Sequence, residues 1–221
     1  MCGRFVTIIP YDELKKIFDL VESQNRPEPR YNVAPTQQVP VVRNTGEVNE
    51  LVPMKWGLIP SWAKDSKIAN HTINARCESV AEKPSFRHAI KVQRCIVPTS
   101  GFYEWSHAMQ PKVPFFIEMA DQSAMCFAGI WEHWKDADGS PVETFSILTT
   151  TANELVAPIH DRMPVILAPE NFGFWLDKEI CDPHQLERLY QPFPADKMSF
   201  YQVPTLVNNP KFDSPACIAK V

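Results

Sequence analysis

A cysteine stands second in the chain, in Met1-Cys2-Gly3-Arg4-Phe5. Once Met1 is excised, one residue carries a free α-amine and a thiol two carbons apart. An α-amine has a pKa near ~7.8 against ~10.4 for lysine, so far more of it is neutral and nucleophilic at physiological pH. Such an aminothiol captures aldehydes: the amine forms an imine, and the neighbouring thiol closes a five-membered thiazolidine by an intramolecular step that proximity favours. Taken alone, an arbitrary cysteine at a frayed end is the plainer reading of position 2.

Three internal segments are also polar for their apolar surroundings: Ile73-Asn74-Ala75-Arg76-Cys77-Glu78, Ser100-Gly101-Phe102-Tyr103-Glu104-Trp105 and Pro158-Ile159-His160-Asp161-Arg162-Met163-Pro164. Glu104 lies between two aromatics, directly after a predicted strand. Desolvation there raises a carboxyl pKa and suits proton transfer near neutrality; a strand-end glutamate with its head in water is the alternative. His160 stands beside Asp161 and Arg162 in a proline-bounded loop, placed either to shuttle a proton or to hold the loop together. Asn74 can orient an amine or a carbonyl, or form a turn. Arg4, Arg76 and Arg162 present the planar fork that grips phosphate, although surface salt bridges are the commoner fate of arginine. Trp62, in Pro60-Ser61-Trp62-Ala63, is a candidate platform for an unstacked base or a rim residue of the core. Trp56 reads as core. His71, His88, His107, His133 and His184 show no ligand spacing, and no metal or other cofactor is expected.

The elements that must position these residues are short. The chain has 221 residues, with 21 prolines against 7 glycines. That composition excludes long uninterrupted helices and argues for many short elements joined by rigid turns. Apolar residues at 44% and charged residues at 22% give an ordinary globular balance. A net charge of −4 provides no global attraction to polyanions, so any such site is a local patch. No apolar run approaches the ~18 residues of a membrane span, and the start lacks a secretion-signal pattern. The six cysteines, none within four residues of another, read as reduced, mostly buried thiols, and a cytoplasmic location is expected.

Leu14, Ile17, Phe18 and Val21 predict a helix over 11–22 with Asp12 as a cap. Segment 23–37 is proline-rich and polar. Strands are predicted at 38–43 and 48–59 around Asn44-Thr45-Gly46, then at 92–98, 114–120, 124–132 and 142–151, with Asp138-Gly139 as a turn, and at 198–203. Residues 60–76 read as irregular, 84–90 as a short helix and 152–158 as one or two turns. Helices follow over 170–177, with Pro169 at its first position, and over 183–190. One α+β domain is expected, mostly antiparallel, with a core over about 2–207 and a loop tail over 208–221. A doubly wound fold is excluded, because no strand–helix alternation or Gly-rich phosphate loop occurs.

Taken together, the motifs resemble those of the SRAP family, the SOS response-associated peptidase domain proteins. The segments that carry the resemblance are Met1–Phe5, Tyr31-Asn32-Val33-Ala34-Pro35, Trp56-Gly57-Leu58-Ile59-Pro60, Ile73–Glu78, Gly101–Trp105 and Ile159–Pro164, in family order over residues 1–164. The resemblance implies a β-barrel-like core and a basic channel for single-stranded DNA. It also implies covalent capture of abasic sites by Cys2 after Met1 removal, with weak lyase chemistry at the Schiff-base stage. It assigns catalytic roles to Cys2, Asn74, Glu104 and His160, and DNA contacts to Arg4, Asn32, Pro35, Trp62, Arg76, Thr149 and Arg162. The expected partner is single-stranded DNA containing abasic sites, met by a monomer that joins the nucleoid when bound to damage. One tryptophan, Trp62, stands where some bacterial relatives carry two. A thiol peptidase using Cys2 with His160, or a non-catalytic single-strand binder, are the alternative functions.

Overall fold

Residues 38–56 run out and back around Asn44-Thr45-Gly46, where Gly46 takes φ 108° and its amide donates to Asn44 Oδ1 at 2.6 Å. A left-handed conformation of this kind is one that glycine adopts without steric penalty. The computed structural model describes residues 2–22, 26–106 and 112–221; Met1 and His107 lie outside them. In chain order the regular elements are β1 (Arg4–Thr7), α1 (Tyr11–Phe18), β2 (Arg30–Val33), β3 (Gln38–Asn44), β4 (Asn49–Trp56) and β5 (Asn74–Arg76). They continue with α2 (Ala89–Val92), β6 (Arg94–Thr99), β7 (Gly101–Trp105), β8 (Pro114–Met119), β9 (Met125–Lys135), β10 (Pro141–Thr151), β11 (Arg162–Pro164), α3 (Phe172–Leu176) and β12 (Met198–Gln202). Short 3₁₀ turns link many of them.

Five strands close into a mixed barrel. β4, β3, β6, β9 and β10 pair antiparallel in that order, and β10 returns to β4 in parallel. Five other strands form a second sheet in the order β12-β8-β7-β1-β2. Side chains alternate across these strands. Val39, Val41, Cys95, Val97, Phe127, Phe145 and Ile147 face Phe5, Phe102 and Ile117 of the second sheet. Val42, Ile96, Ala128, Ile130 and Leu148 point the other way, towards Leu14, Phe18, Ile90, Trp175 and Leu186. With both faces covered, β6 is buried throughout, so it reads as a continuous apolar run rather than an alternating one. Arg94 is buried too. Its guanidinium donates to the carbonyls of Ile90, Lys91 and Trp175 at 2.9, 2.8 and 2.6 Å, and to that of Asp177. A cation there satisfies helix-end carbonyls of both α2 and α3.

The α+β, largely antiparallel architecture matches the sequence expectation. Several boundaries differ. The helix expected over 11–22 stops at Phe18 because Asp19 turns left-handed at φ 49°. Leu20 then bridges to Asn49, whose Nδ2 donates to the Phe18 carbonyl at 2.8 Å. Asp12 lies inside the first turn and makes no cap bond; the chain enters through Pro10. The irregular stretch 60–76 contains a 3₁₀ helix, Ser66–His71, and β5. Glu104 lies within β7 rather than after a strand. No helix among the described residues is long and apolar enough to cross a membrane.

Candidate active site

The far end of β10 assembles one half of the site. β4 pairs with β10 only as far as Phe145↔Trp56. The chain leaves the barrel at Gly57 and comes back as β5 on the same edge, with Ile147↔Asn74 and Thr149↔Arg76. On the other edge, β11 replaces β9, pairing Thr149↔Pro164 and Thr151↔Arg162. Residues Ile147–Thr151 therefore lie between the strand that carries Asn74 and Arg76 and the strand that follows His160.

The second sheet supplies the other half. β1 pairs with β7 through Arg4↔Tyr103 and Phe5↔Phe102, which brings the segment before Arg4 alongside the end of β7, where Glu104 lies. Cys2 is fully buried, in the apolar cluster that holds Phe102, Ile147, Val156 and Met163. Asn74 Nδ2 donates to the Cys2 carbonyl at 2.9 Å. That carbonyl can only accept, so it fixes the amide orientation. Asn74 Oδ1 is then left buried without a hydrogen-bond partner among the described residues.

Burial dominates the electrostatics. Glu104 is 3% exposed, and desolvation pushes its carboxyl up to about 7. Burial also pushes the Cys2 thiol well above its ordinary value, and the negative charge of Glu104 adds to this, so the thiol is held protonated. His160 is largely shielded, with its side chain 14% exposed. Its Nδ1 lies 3.0 Å from the Arg162 amide and 2.8 Å from Asp161 Oδ1. One nitrogen cannot accept from an N–H and donate to a carboxylate at once. In the neutral ring it accepts from the Arg162 amide, which puts the proton on Nε2; in the imidazolium it donates to Asp161.

The seven expected DNA contacts divide sharply. Trp62 is 59% exposed, on a loop pinned where Trp134 Nε1 donates to the Ala63 carbonyl at 2.7 Å. Arg76 is exposed. Pro35 is half-buried in the turn before β3, next to Thr36 at φ 72°. The others are occupied. Asn32 and Thr149 are fully buried. The contacts of Asn32 Nδ2 go to the carbonyls of Val207, Asn209 and Phe212. Thr149 Oγ1 faces the Ala75 carbonyl at 3.5 Å. Arg162 is locked in a bidentate pair with Glu78 at 2.6 and 2.9 Å and donates to the Thr149 carbonyl at 2.7 Å. Arg4 projects on the outer face of its sheet, where it donates to Asn32 Oδ1 at 2.8 Å and the Val207 carbonyl at 2.7 Å. Sequence reading missed Glu78 as the holder of Arg162, and nothing local signals a pair 84 residues apart. Among the described residues no group of three or more His, Cys, Asp or Glu side chains could hold a metal ion. Cys77, Cys95, Cys126 and Cys217 are buried free thiols, and Cys181 is exposed.

Fold and site together define a barrel protein whose second residue, a buried cysteine, is held by an asparagine, with a buried carboxyl near the end of the neighbouring strand. The family model for SOS response associated peptidase (SRAP) matches residues 1–210. The chain belongs to the SRAP family. It is 45% identical over 223 residues, 99% of both chains, to the Bacillus subtilis protein named abasic site processing protein YoqW. It is 31% identical to the chicken (Gallus gallus) abasic site processing protein HMCES, over all of this chain and 78% of that one. Among solved structures, a Bacteroides thetaiotaomicron protein superposes with TM-score 0.79 at 33% identity, covering 86% of this chain and 84% of its own. A Bordetella bronchiseptica protein reaches 0.80 at 25% identity, covering 92% and 100%.

Proposed function

We propose that this chain processes abasic sites, as the names of its relatives lead one to expect, and that it does so in single-stranded DNA by covalent capture at Cys2. The observation that carries this reading is the Asn74–Cys2 contact beside Glu104. A terminal residue would ordinarily fray, yet here its carbonyl is held at 2.9 Å and its side chain is fully buried.

The chemistry follows from the groups present. Hydrolysis of the Met1–Cys2 bond consumes one water and frees the amine. An abasic sugar opens to an aldehyde, and the Cys2 amine attacks C1′. Glu104, titrating at about 7, gives a proton to the departing carbinolamine hydroxyl, and one water leaves as the imine forms. The thiol then adds to the imine carbon, and its proton goes by way of Glu104 to the ring nitrogen, completing the thiazolidine. His160 is the second proton carrier near the sugar. Asn74 Oδ1, buried and without a partner among the described residues, accepts from the freed amine or from a sugar hydroxyl. The imine stage also opens a route to β-elimination, so a weak lyase side reaction is expected. Trp62 and Arg76 offer a stacking surface and a phosphate contact.

Incubation with abasic and intact oligonucleotides tests the reading. A heat-stable shift with the abasic strand alone, abolished by Cys2→Ala, is expected. Reversible binding of both strands, or an undiminished adduct in Cys2→Ala, would refute it.

A further inference from the structure

A small separate core covers the outer face of the second sheet. Val6, Tyr103 and Phe116 point away from the barrel and pack against Val203, Val207 and Cys217. Polar contacts lock the same segment down. Arg4 donates to the Val207 carbonyl at 2.7 Å and to the Asn208 carbonyl at 3.5 Å. Asn32 bridges the two sides: its Oδ1 takes Arg4 at 2.8 Å, and its Nδ2 reaches Val207, Asn209 and Phe212. β2 carries an irregularity, pairing Phe5↔Val33 and then Thr7↔Arg30. The extra residue turns two successive amides outward. Both are taken by one atom, Asp213 Oδ1, at 2.5 Å from the Tyr31 amide and 3.1 Å from that of Asn32. Arg30 completes the carboxylate's partners through Oδ2. Trp105 Nε1 donates to Asn208 Oδ1 at 2.7 Å.

We propose that residues 205–217 are a positioning element for the amino-terminal cysteine, acting through Asn32 and Asp213. The inference rests on the capture reading above. β1 has only four residues and starts two residues after Cys2. Its first side chain, Arg4, is held by the tail rather than by a carboxylate. The same segment grips Trp105, the residue that follows Glu104. One element therefore fixes both strands at the ends where the nucleophile and its proton carrier lie. Asp213 stands beyond the stretch that the family model matches. Asn32 and Asp213 touch no reacting atom; they act through Arg4 and the register of β1 and β2.

The test compares Asp213→Ala and Asp213→Asn with the parent chain, using a single-stranded oligonucleotide with one abasic site. Three quantities are read: the capture rate at saturating oligonucleotide, the half-saturating concentration, and hydrogen exchange at the β1 amides. Asp213→Ala is expected to slow saturated capture about tenfold, since small misplacements of reacting groups carry large kinetic penalties. It should leave the half-saturating concentration within about twofold and speed exchange at Phe5 and Val6 by about tenfold. Asp213→Asn keeps an oxygen for the two amides and should recover most of the rate. A lowered melting temperature with unchanged saturated rate and unchanged β1 exchange would overturn the proposal. If Asp213→Ala does not fold, Asn208→Ala, which loses only the Trp105 contact, should still slow saturated capture about threefold, and an unchanged rate there overturns it. A parent chain that forms no adduct refutes the capture reading; the clamp itself then stands or falls on β1 exchange alone.

Discussion

One amide ties Cys2 to the barrel. Asn74 holds the Cys2 carbonyl with its NH₂ group, and its oxygen is buried without a hydrogen-bond partner among the described residues. An acceptor left unmade in this way costs about 1–3 kcal/mol, a cost that a bound donor relieves. Glu104 carries a second cost. Its carboxyl titrates at about 7 in the folded chain against an ordinary 4.5. Between those values the native state keeps a proton that the unfolded chain has released, so stability falls as pH rises through the window and is fully present below it. The full effect is on the order of 3 kcal/mol. Glu104→Gln removes it: urea unfolding at pH 5 and pH 8 should show the variant losing less stability than the parent across that interval, by an amount of this order. Parallel pH profiles would show that the carboxyl is not desolvated. The same substitution should slow capture. The residue types and neighbours of Cys2, Asn74, Glu104 and His160 left each open between a chemical and a structural role, and only the set of motifs together singled them out. The occupied state of Asn32, Thr149 and Arg162 was not, because their partners at 207–212, 75 and 78 are distant in sequence or hidden by the fold.

Short elements on one long strand bring these residues together. β10 carries β4 and then β5 along one edge, and β9 and then β11 along the other. The hand-over from β4 to β5 depends on Gly57, at φ 122°, where a Cβ would lie 2.6 Å from the Ala69 carbonyl oxygen. Gly57→Ala adds both strain and a clash, and should destabilise the chain by on the order of 3 kcal/mol, read as a clear fall in the midpoint of thermal unfolding. An unchanged midpoint would mean that the 57–73 loop does not depend on this turn. Strands with strong apolar runs, such as β3, β6, β9 and β10, were legible because propensity and burial agree along them. β1, β2, β5 and β11 were not. They have three or four residues each and mix apolar with polar side chains, so only tertiary pairing reveals them. α1 was legible at its start but not at its end, where the left-handed Asp19 is set by the Leu20–Asn49 bridge.

At the level of the whole molecule, a chain of net charge −4 has no global field to draw a polyanion, so the proposed DNA contact is a local one; Arg76 and Trp62 are exposed for it. The barrel and the second sheet each contribute half of the site, and the C-terminal segment braces the sheet from outside. That bracing was invisible in a tail read as loop, since Asp213 and the amides it caps are 182 and 181 residues apart. Intact-mass analysis of the adduct with an abasic oligonucleotide, followed by fragmentation, tests the capture at Cys2 most directly. The predicted mass is that of the chain without Met1 plus the oligonucleotide less one water, with the linkage on Cys2. A linkage on a lysine, or an adduct that retains Met1, would contradict it.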